Sequence, residues 1–160
     1  LSIRQEDITF DAHAIECRIN AEDPKANFAP SFGRITYLRQ PVGPFVRNDT
    51  GVYEGWEVPS HYDSLLTKVC AVGPDRATAI RRELRALEES RFRGIKTTVP
   101  LHKKVLQHPA FVDGTYDTSF IDLYGDEVMQ YENEQAYDEE GRIVELIAEA
   151  TALGQNPHCR

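Results

Sequence analysis

With 160 residues, 26 acidic against 18 basic, the chain has a formal net charge of −8 and is long enough to bury the core of one domain. Such an acidic balance disfavours nucleic acid as a partner, and no apolar run approaches the roughly 20 residues that a membrane span needs. Cys17, Cys70 and Cys159 are unevenly spaced with no CxxC pair and no signal peptide is visible, so they read as reduced thiols of a cytoplasmic protein rather than a disulfide framework.

The chain opens at Leu1 without an initiator Met and is expected to be a fragment of a longer polypeptide. Leu1–Phe10 is a polar lead-in with a short strand expected at Ile8–Phe10. His13–Asn20 then alternates strictly. His13, Ile15, Cys17 and Ile19 point one way and Ala14, Glu16, Arg18 and Asn20 the other, which predicts a strand with one face on a core. Ala21–Ser31 reads as loop, broken by Pro24 and Pro30. Arg34–Leu38 alternates around Ile35 and Tyr37 and predicts a second strand. A Gly/Pro turn at Pro41–Pro44 leads into a short strand at Phe45–Asn48, with further turns at Asp49–Gly51 and Tyr53–Gly55.

Leu65–Val72 (LLTKVCAV) is the most apolar run and the expected central strand. Gly73–Pro74 ends it, and Asp75 opens a helix as N-cap or first-turn carboxylate. Within Arg76–Ser90, Ile80, Leu84 and Leu87 form an apolar stripe at i, i+4, i+7. Gly94 stops the following turn. Thr97–Thr98 followed by Pro100 marks the start of a second helix, with Thr98 as its cap, which buries Leu101, Val105 and Leu106 and ends at His108–Pro109. Asp113–Gly114 is a turn before TSFIDL. From Asp126 to Glu140 the chain is acidic and poor in aliphatics, a linker or solvated surface. Arg142–Leu153 predicts a last amphipathic helix. Short strands followed by helices indicate an α+β fold with an antiparallel sheet.

The word HAIECRINAEDP at His13–Pro24, with FAPSFGRI at Phe28–Ile35, resembles the opening of the biotin carboxylase C-terminal domain. This is the ATP-dependent component of acetyl-CoA, propionyl-CoA and pyruvate carboxylases. The likeness continues through PVGPFVRNDTGVYEGWEVPSHYDSLLTKV at Pro41–Val69, GPDRATAI at Gly73–Ile80, RALEESRFRGIKTT at Arg85–Thr98 and GTYDTSFID at Gly114–Asp122. It divides the chain into a domain at 1–122 and an acidic linker with a helical extension at 123–160. The resemblance implies a small antiparallel half-barrel of the barrel-sandwich-hybrid type, flanked by helices and packed on an ATP-grasp domain that holds ATP and magnesium. It also implies the chemistry of the intact enzyme. Bicarbonate is phosphorylated by ATP, carboxyphosphate decomposes to carbon dioxide, and biotin on a carrier domain is carboxylated at a ureido nitrogen. Further implied partners are a carboxyltransferase component, which chooses the final acceptor, and a second copy of the enzyme in a homodimer. The chain departs from the family pattern at Ala12 for Gly, Phe32 for Pro, Val42 for Gly and Pro44 for an aromatic. A β-branched Val42 cannot easily take the positive φ open to Gly, so that turn is expected to differ locally.

Four site residues follow from the resemblance. Arg18 matches the arginine that lies beside bicarbonate and the biotin ureido ring. A guanidinium stays charged and offers paired donors in a plane, suited to the negative charge that spreads onto the ureido oxygen. The plain alternative is a surface arginine paired with Glu16. Asp63, in Tyr62–Ser64, matches an aspartate near the same site and would orient Arg18 through a charge-assisted pair. An Asx-turn cap before the Leu65 strand is the alternative, and both can hold. Arg47 matches an arginine near the homodimer contact, with an exposed strand arginine as the alternative. Thr118 aligns with a residue at the adenine edge of the ATP pocket. No metal ligands are expected: His61, His102, His108 and His158 are dispersed, and His158–Cys159 is too short a pair. The flap, lysines and carboxylates that bind the nucleotide are absent, so the fragment alone is expected to be inactive. A noncatalytic interaction module that kept the fold is the competing reading. A catalytic origin predicts that Arg18 and Asp63 come within pairing distance; an interaction module does not.

Overall fold

In the computed structural model, which describes residues 2–131, the alternating stretch forms β1 (His13–Asn20). Ile15, Cys17 and Ile19 are buried and Glu16 and Arg18 exposed, while His13, expected on the inner row, is exposed at the strand's start. The lead-in forms a 3-10 turn at Gln5–Asp7 and no strand at Ile8–Phe10. Phe10 is 97% exposed and gives that segment no core to pair over. The expected loop after β1 holds two short strands, β2 (Glu22–Asp23) and β3 (Ala29–Pro30), paired antiparallel around a 3-10 turn at Pro24–Ala26.

The single strand expected at Arg34–Leu38 is two, β4 (Gly33–Arg34) and β5 (Tyr37–Arg39). Between them Ile35 is fully buried; its N–H donates to Trp56 at 2.8 Å and its carbonyl accepts from Gly55 at 2.7 Å. The chain turns from one sheet to another around that side chain. β6 (Val46–Thr50) extends through residues 49–50, expected as turn, because they pair with the central strand. Val42 does not take a positive φ; Gly43 does, at 141°, and the left-handed non-glycine in that turn is Phe45 at 64°. The Arg82 guanidinium covers the Phe45 ring at 4.0 Å, a favourable cation–π contact at a strained position.

β7 (Glu57–Val58) pairs with β4, and β8 (Leu65–Gly73) is central in a three-stranded antiparallel sheet ordered β1-β8-β6. α1 (Arg76–Glu89) starts with Asp75 accepting the Thr78 N–H at 2.7 Å, as the N-cap pattern predicts. Gly73 lets β8 meet α1, since a Cβ there would lie 2.6 Å from the Ala79 nitrogen. Next come β9 (Arg91–Arg93), which pairs with β5, then α2 (Val99–Gln107), α3 (Pro109–Asp113) and α4 (Phe120–Val128). Gly94 follows β9 at φ 90°, where a Cβ would fall 2.1 Å from the Arg34 carbonyl. The fold is α+β with small antiparallel sheets and flanking helices. The acidic stretch from Asp126 begins inside α4, with Val128 buried against Leu101 and Phe120. The helix expected at Arg142–Leu153 lies outside the described residues.

α1 closes the inner face of the sheet, packing Ala79, Ile80, Ala86 and Leu87 with Ile15, Cys17, Ile19 and Val69. Burying each large aliphatic side chain contributes roughly 1.5–3 kcal/mol. The stripe differs from the expected one: Leu84 is only partly buried, and Glu83 is fully buried in its place. Neither carboxylate oxygen of Glu83 has a hydrogen-bond partner among the described residues. The Cys17 thiol and the Ala71 N–H lie near and favour the charge, but neither closes a bond of good geometry, and burial dominates. It pushes the Glu83 carboxyl up to about 8 from an ordinary 4.5, and pushes the Cys17 thiol up as well.

A stability prediction follows from this carboxyl. Between pH 4.5 and about 8 the folded chain keeps a proton that the unfolded chain has released, so stability falls as pH rises through that window. Glu83→Met should flatten that fall and raise unfolding free energy at its alkaline end by about 1–3 kcal/mol, the cost of an unsatisfied buried polar group. Denaturant titrations of both forms at the two ends of the window measure it; parallel curves would mean that the carboxylate is solvated.

Candidate functional site

The outer face of the three-stranded sheet carries two of the four predicted residues, Arg18 and Arg47. Register sets Arg18 opposite Lys68 and Lys68 opposite Asp49; one row along, Glu16 faces Cys70 and Cys70 faces Arg47. Opposed residues share a face, so these two rows lie on the side turned away from α1. Arg47 Nε pairs with Asp49 Oδ2 at 3.1 Å, with the arginine side chain 71% exposed. Such a pair contributes at most about 1 kcal/mol. The Cys70 thiol donates to Glu16 Oε2 at 3.6 Å. Burial and that carboxylate push the thiol up, which suits an inert group better than a nucleophile.

Arg18 is exposed, and its guanidinium makes no hydrogen bond or ion pair among the described residues; the pair with Glu16 is not formed. Its backbone is held firmly. β1 lies at the edge of its sheet, so one side of the strand has no strand partner among the described residues. The start of α2 fills that side. Thr98 N–H donates to the Asn20 carbonyl at 3.1 Å, and Asn20 N–H donates to Thr98 Oγ1 at 3.0 Å. Thr98 Oγ1 donates to the Arg18 carbonyl at 3.3 Å, and His102 Nε2 donates to the same oxygen at 2.9 Å. Thr98 does stand at the N-cap of α2, but its hydroxyl serves β1 and makes no cap bond. Burial pushes the His102 imidazole below the ordinary histidine range, with the bond to the Arg18 carbonyl acting against it.

Asp63 does not pair with Arg18 among the described residues. Its Oδ1 accepts the Leu65 N–H at 2.8 Å, the Asx turn that is the alternative reading. The residue stands between two hollows that share Val58 and Tyr62. One is an open groove of about 600 Å³ that includes Trp56, Leu66 and Lys68; the other, of about 270 Å³, includes Asn20, Glu22 and Ser64. In the second, Glu22 Oε1 takes the Asn20 amide at 3.1 Å and the Ser64 hydroxyl. Thr118 is apart from the sheet face, exposed in the turn before α4, where the neighbouring Asp117 carboxylate accepts the Ser119 N–H at 2.9 Å.

Among the described residues, no three His, Cys, Asp or Glu side chains form a group that could hold a metal. His108 is structural: it accepts the Ala110 N–H at 3.2 Å at the start of α3, meets Phe120 edge to face and lies tilted against Tyr124. Further site neighbours escape the sequence reading. Lys68 is within its reach, since the alternation of LLTKVCAV puts it on the polar face. Thr98 and His102 sit at i, i+4, one face of a helix, but nothing local points that face at β1. The face as a whole can present planar cationic donors, fixed on a strand, to an anion or a developing oxyanion.

Residues 16–123 match the family model of the biotin carboxylase C-terminal domain. The chain is 48% identical over 124 residues to biotin carboxylase 1 of Bacillus subtilis (strain 168), covering 78% of this chain and 28% of that protein. It is 46% identical over 121 residues to the biotin carboxylase of Nostoc sp., covering 76% of this chain and 27% of that one. Among solved structures, the biotin carboxylase domain dimer of Hydrogenobacter thermophilus 2-oxoglutarate carboxylase, in complex with MgADP, ADP and bicarbonate, superposes with a TM-score of 0.80 at 38% identity. That match covers 83% of this chain and 29% of the other. A complete multifunctional pyruvate carboxylase from Rhizobium etli matches at a TM-score of 0.78 and 41% identity, over 82% of this chain and 12% of that one. The chain thus spans less than a third of the length of these relatives.

Proposed function

Because this chain belongs to the biotin carboxylase C-terminal domain family, we propose that it works as that domain of an intact ATP-dependent biotin carboxylase, a carbon–nitrogen ligase. Residues 1–122 would form the domain and 123–160 an extension. ATP and magnesium would be held by an ATP-grasp domain, biotin would arrive on a carrier domain, and a carboxyltransferase would complete the enzyme in the cytoplasm. No described helix is long and apolar enough to cross a membrane.

The observation that carries this reading is Arg18. Its guanidinium is unpaired among the described residues and fixed at its root on a strand, directly opposite Lys68. Like charges opposed across a sheet repel, and Asp49 compensates only from the far side of Lys68. An anion relieves that repulsion, which suits bicarbonate. The same guanidinium is suited to negative charge on the ureido oxygen when biotin loses its ureido proton. Biotin supplies the nitrogen that is carboxylated; this chain supplies the donor that steadies the charge.

The other residues take lesser parts. Asp63, held by its Asx turn between the two hollows, would shape the wall of the site and not grip Arg18 directly. Arg47, exposed on the same face, would reach the contact between the two copies of a homodimer. Thr118 would lie at the adenine edge of the neighbouring domain. The Arg18–Asp63 pair that a catalytic origin predicts is not formed among the described residues; the interaction-module alternative is disfavoured by the family match over residues 16–123.

Arg18→Ala in the intact enzyme should leave the KM for ATP unchanged and lower biotin carboxylation by roughly 10²–10³-fold, the cost of one oxyanion donor. Steady-state kinetics with free biotin decide it, and a near-normal rate would return Arg18 to the solvated strand face. The isolated 160-residue chain should bind MgATP no tighter than about millimolar. Isothermal titration showing a micromolar Kd would locate nucleotide ligands in this chain.

A further inference from the structure

We infer that Thr98 and His102 are positioning residues for Arg18, acting as a two-residue clamp that holds the arginine's backbone from outside the sheet. The inference rests on the reading of Arg18 as the group that meets bicarbonate and biotin. Pairing with β8 sets the face on which Arg18 lies but is interrupted just beyond it. The register breaks between Ile19 and Asn20: Ile19 faces Thr67 while Asn20 faces Leu65, so one residue of β8 is skipped just beyond the arginine. The extra residue is Leu66 of β8, so the ladder that supports β1 is locally disrupted between Ile19 and Asn20. On the opposite edge no strand pairs with β1 among the described residues.

The clamp acts at that weak point. Both lone pairs of the Arg18 carbonyl are engaged from the start of α2, by Thr98 Oγ1 at 3.3 Å and His102 Nε2 at 2.9 Å. Thr98 closes a second ring with Asn20, donating its N–H to the carbonyl and accepting the Asn20 N–H. Four hydrogen bonds thus span Arg18 to Asn20, three of them through one threonine. The element that bears them is rigid, because Val99 and Leu106 of α2 are buried in the main core. The bond from His102 requires the tautomer with its proton on Nε2, and a glutamine amide offers an N–H of similar reach. Alanine offers none.

The test uses the intact enzyme. His102→Ala and Thr98→Val are each made with Arg18 present and in an Arg18→Ala background. With Arg18 present, each should lower kcat for biotin carboxylation about 10- to 100-fold, the cost of a misplacement near 1 Å, while the KM for ATP stays unchanged. His102→Gln should restore most of the rate. In the Arg18→Ala background the further loss should be under about two-fold, because nothing remains to position. An equal loss in both backgrounds would make the clamp merely structural, and no loss with Arg18 present would also overturn it. If His102→Ala does not yield folded enzyme, Thr98→Val, which keeps the side chain's size, carries the same comparison. An Arg18→Ala enzyme that is itself near full activity would remove the Arg18 reading and this inference with it.

Discussion

The antiparallel pairing of β1 with β8 is the constraint on which the rest depends. Eight residues of β1 face β8 from His13 against Gly73 to Asn20 against Leu65. That register sends Ile15, Cys17 and Ile19 into the core beneath α1 and sends Glu16 and Arg18 the other way. A slip by one residue would exchange the two sets, burying a guanidinium and exposing three apolar side chains. Each of those apolar side chains resists the slip by roughly 1.5–3 kcal/mol if aliphatic, so the core itself keeps the arginine outward. Packing and chemistry are therefore the two faces of one strand.

On the outer face the charges are not simply neutralised. Arg47 and Asp49 satisfy each other along β6, and Glu16 takes the Cys70 thiol. Arg18 and Lys68 stay opposed across the two strands, and this is the pair on which the proposed anion site rests. Arg18 is held through its main chain, and its guanidinium donors are unpaired among the described residues. An ion pair with Asp63 would have spent them. The Asx turn keeps that carboxylate on the Leu65 N–H instead.

Long, strongly periodic elements are legible in the sequence, and short ones are not. β1, β8 and α1 follow from alternation, an apolar run and an N-cap aspartate. β2, β3, β4 and β7 have two residues each, too few for any period, and β4 and β5 read as one strand because Ile35 continues the alternation while the backbone changes sheets. Glu83 reads as part of a solvated face because charge normally marks one; here tertiary packing overrides the helical stripe. Arg18 is legible through its motif, but its supports are not: Lys68 is reached only across the register, and Thr98 and His102 only through α2, about 80 residues further along the chain.

The most direct measurement compares two rates on one enzyme, Arg18→Lys: bicarbonate-dependent ATP cleavage and biotin carboxylation, assayed side by side. An ammonium keeps the charge but cannot reproduce planar paired donors. If Arg18 chiefly steadies charge on the ureido oxygen, carboxylation should remain roughly 10²-fold or more below the native enzyme while ATP cleavage falls much less. Equal loss of both rates would assign Arg18 to bicarbonate instead, and two native rates would contradict a catalytic outer face altogether.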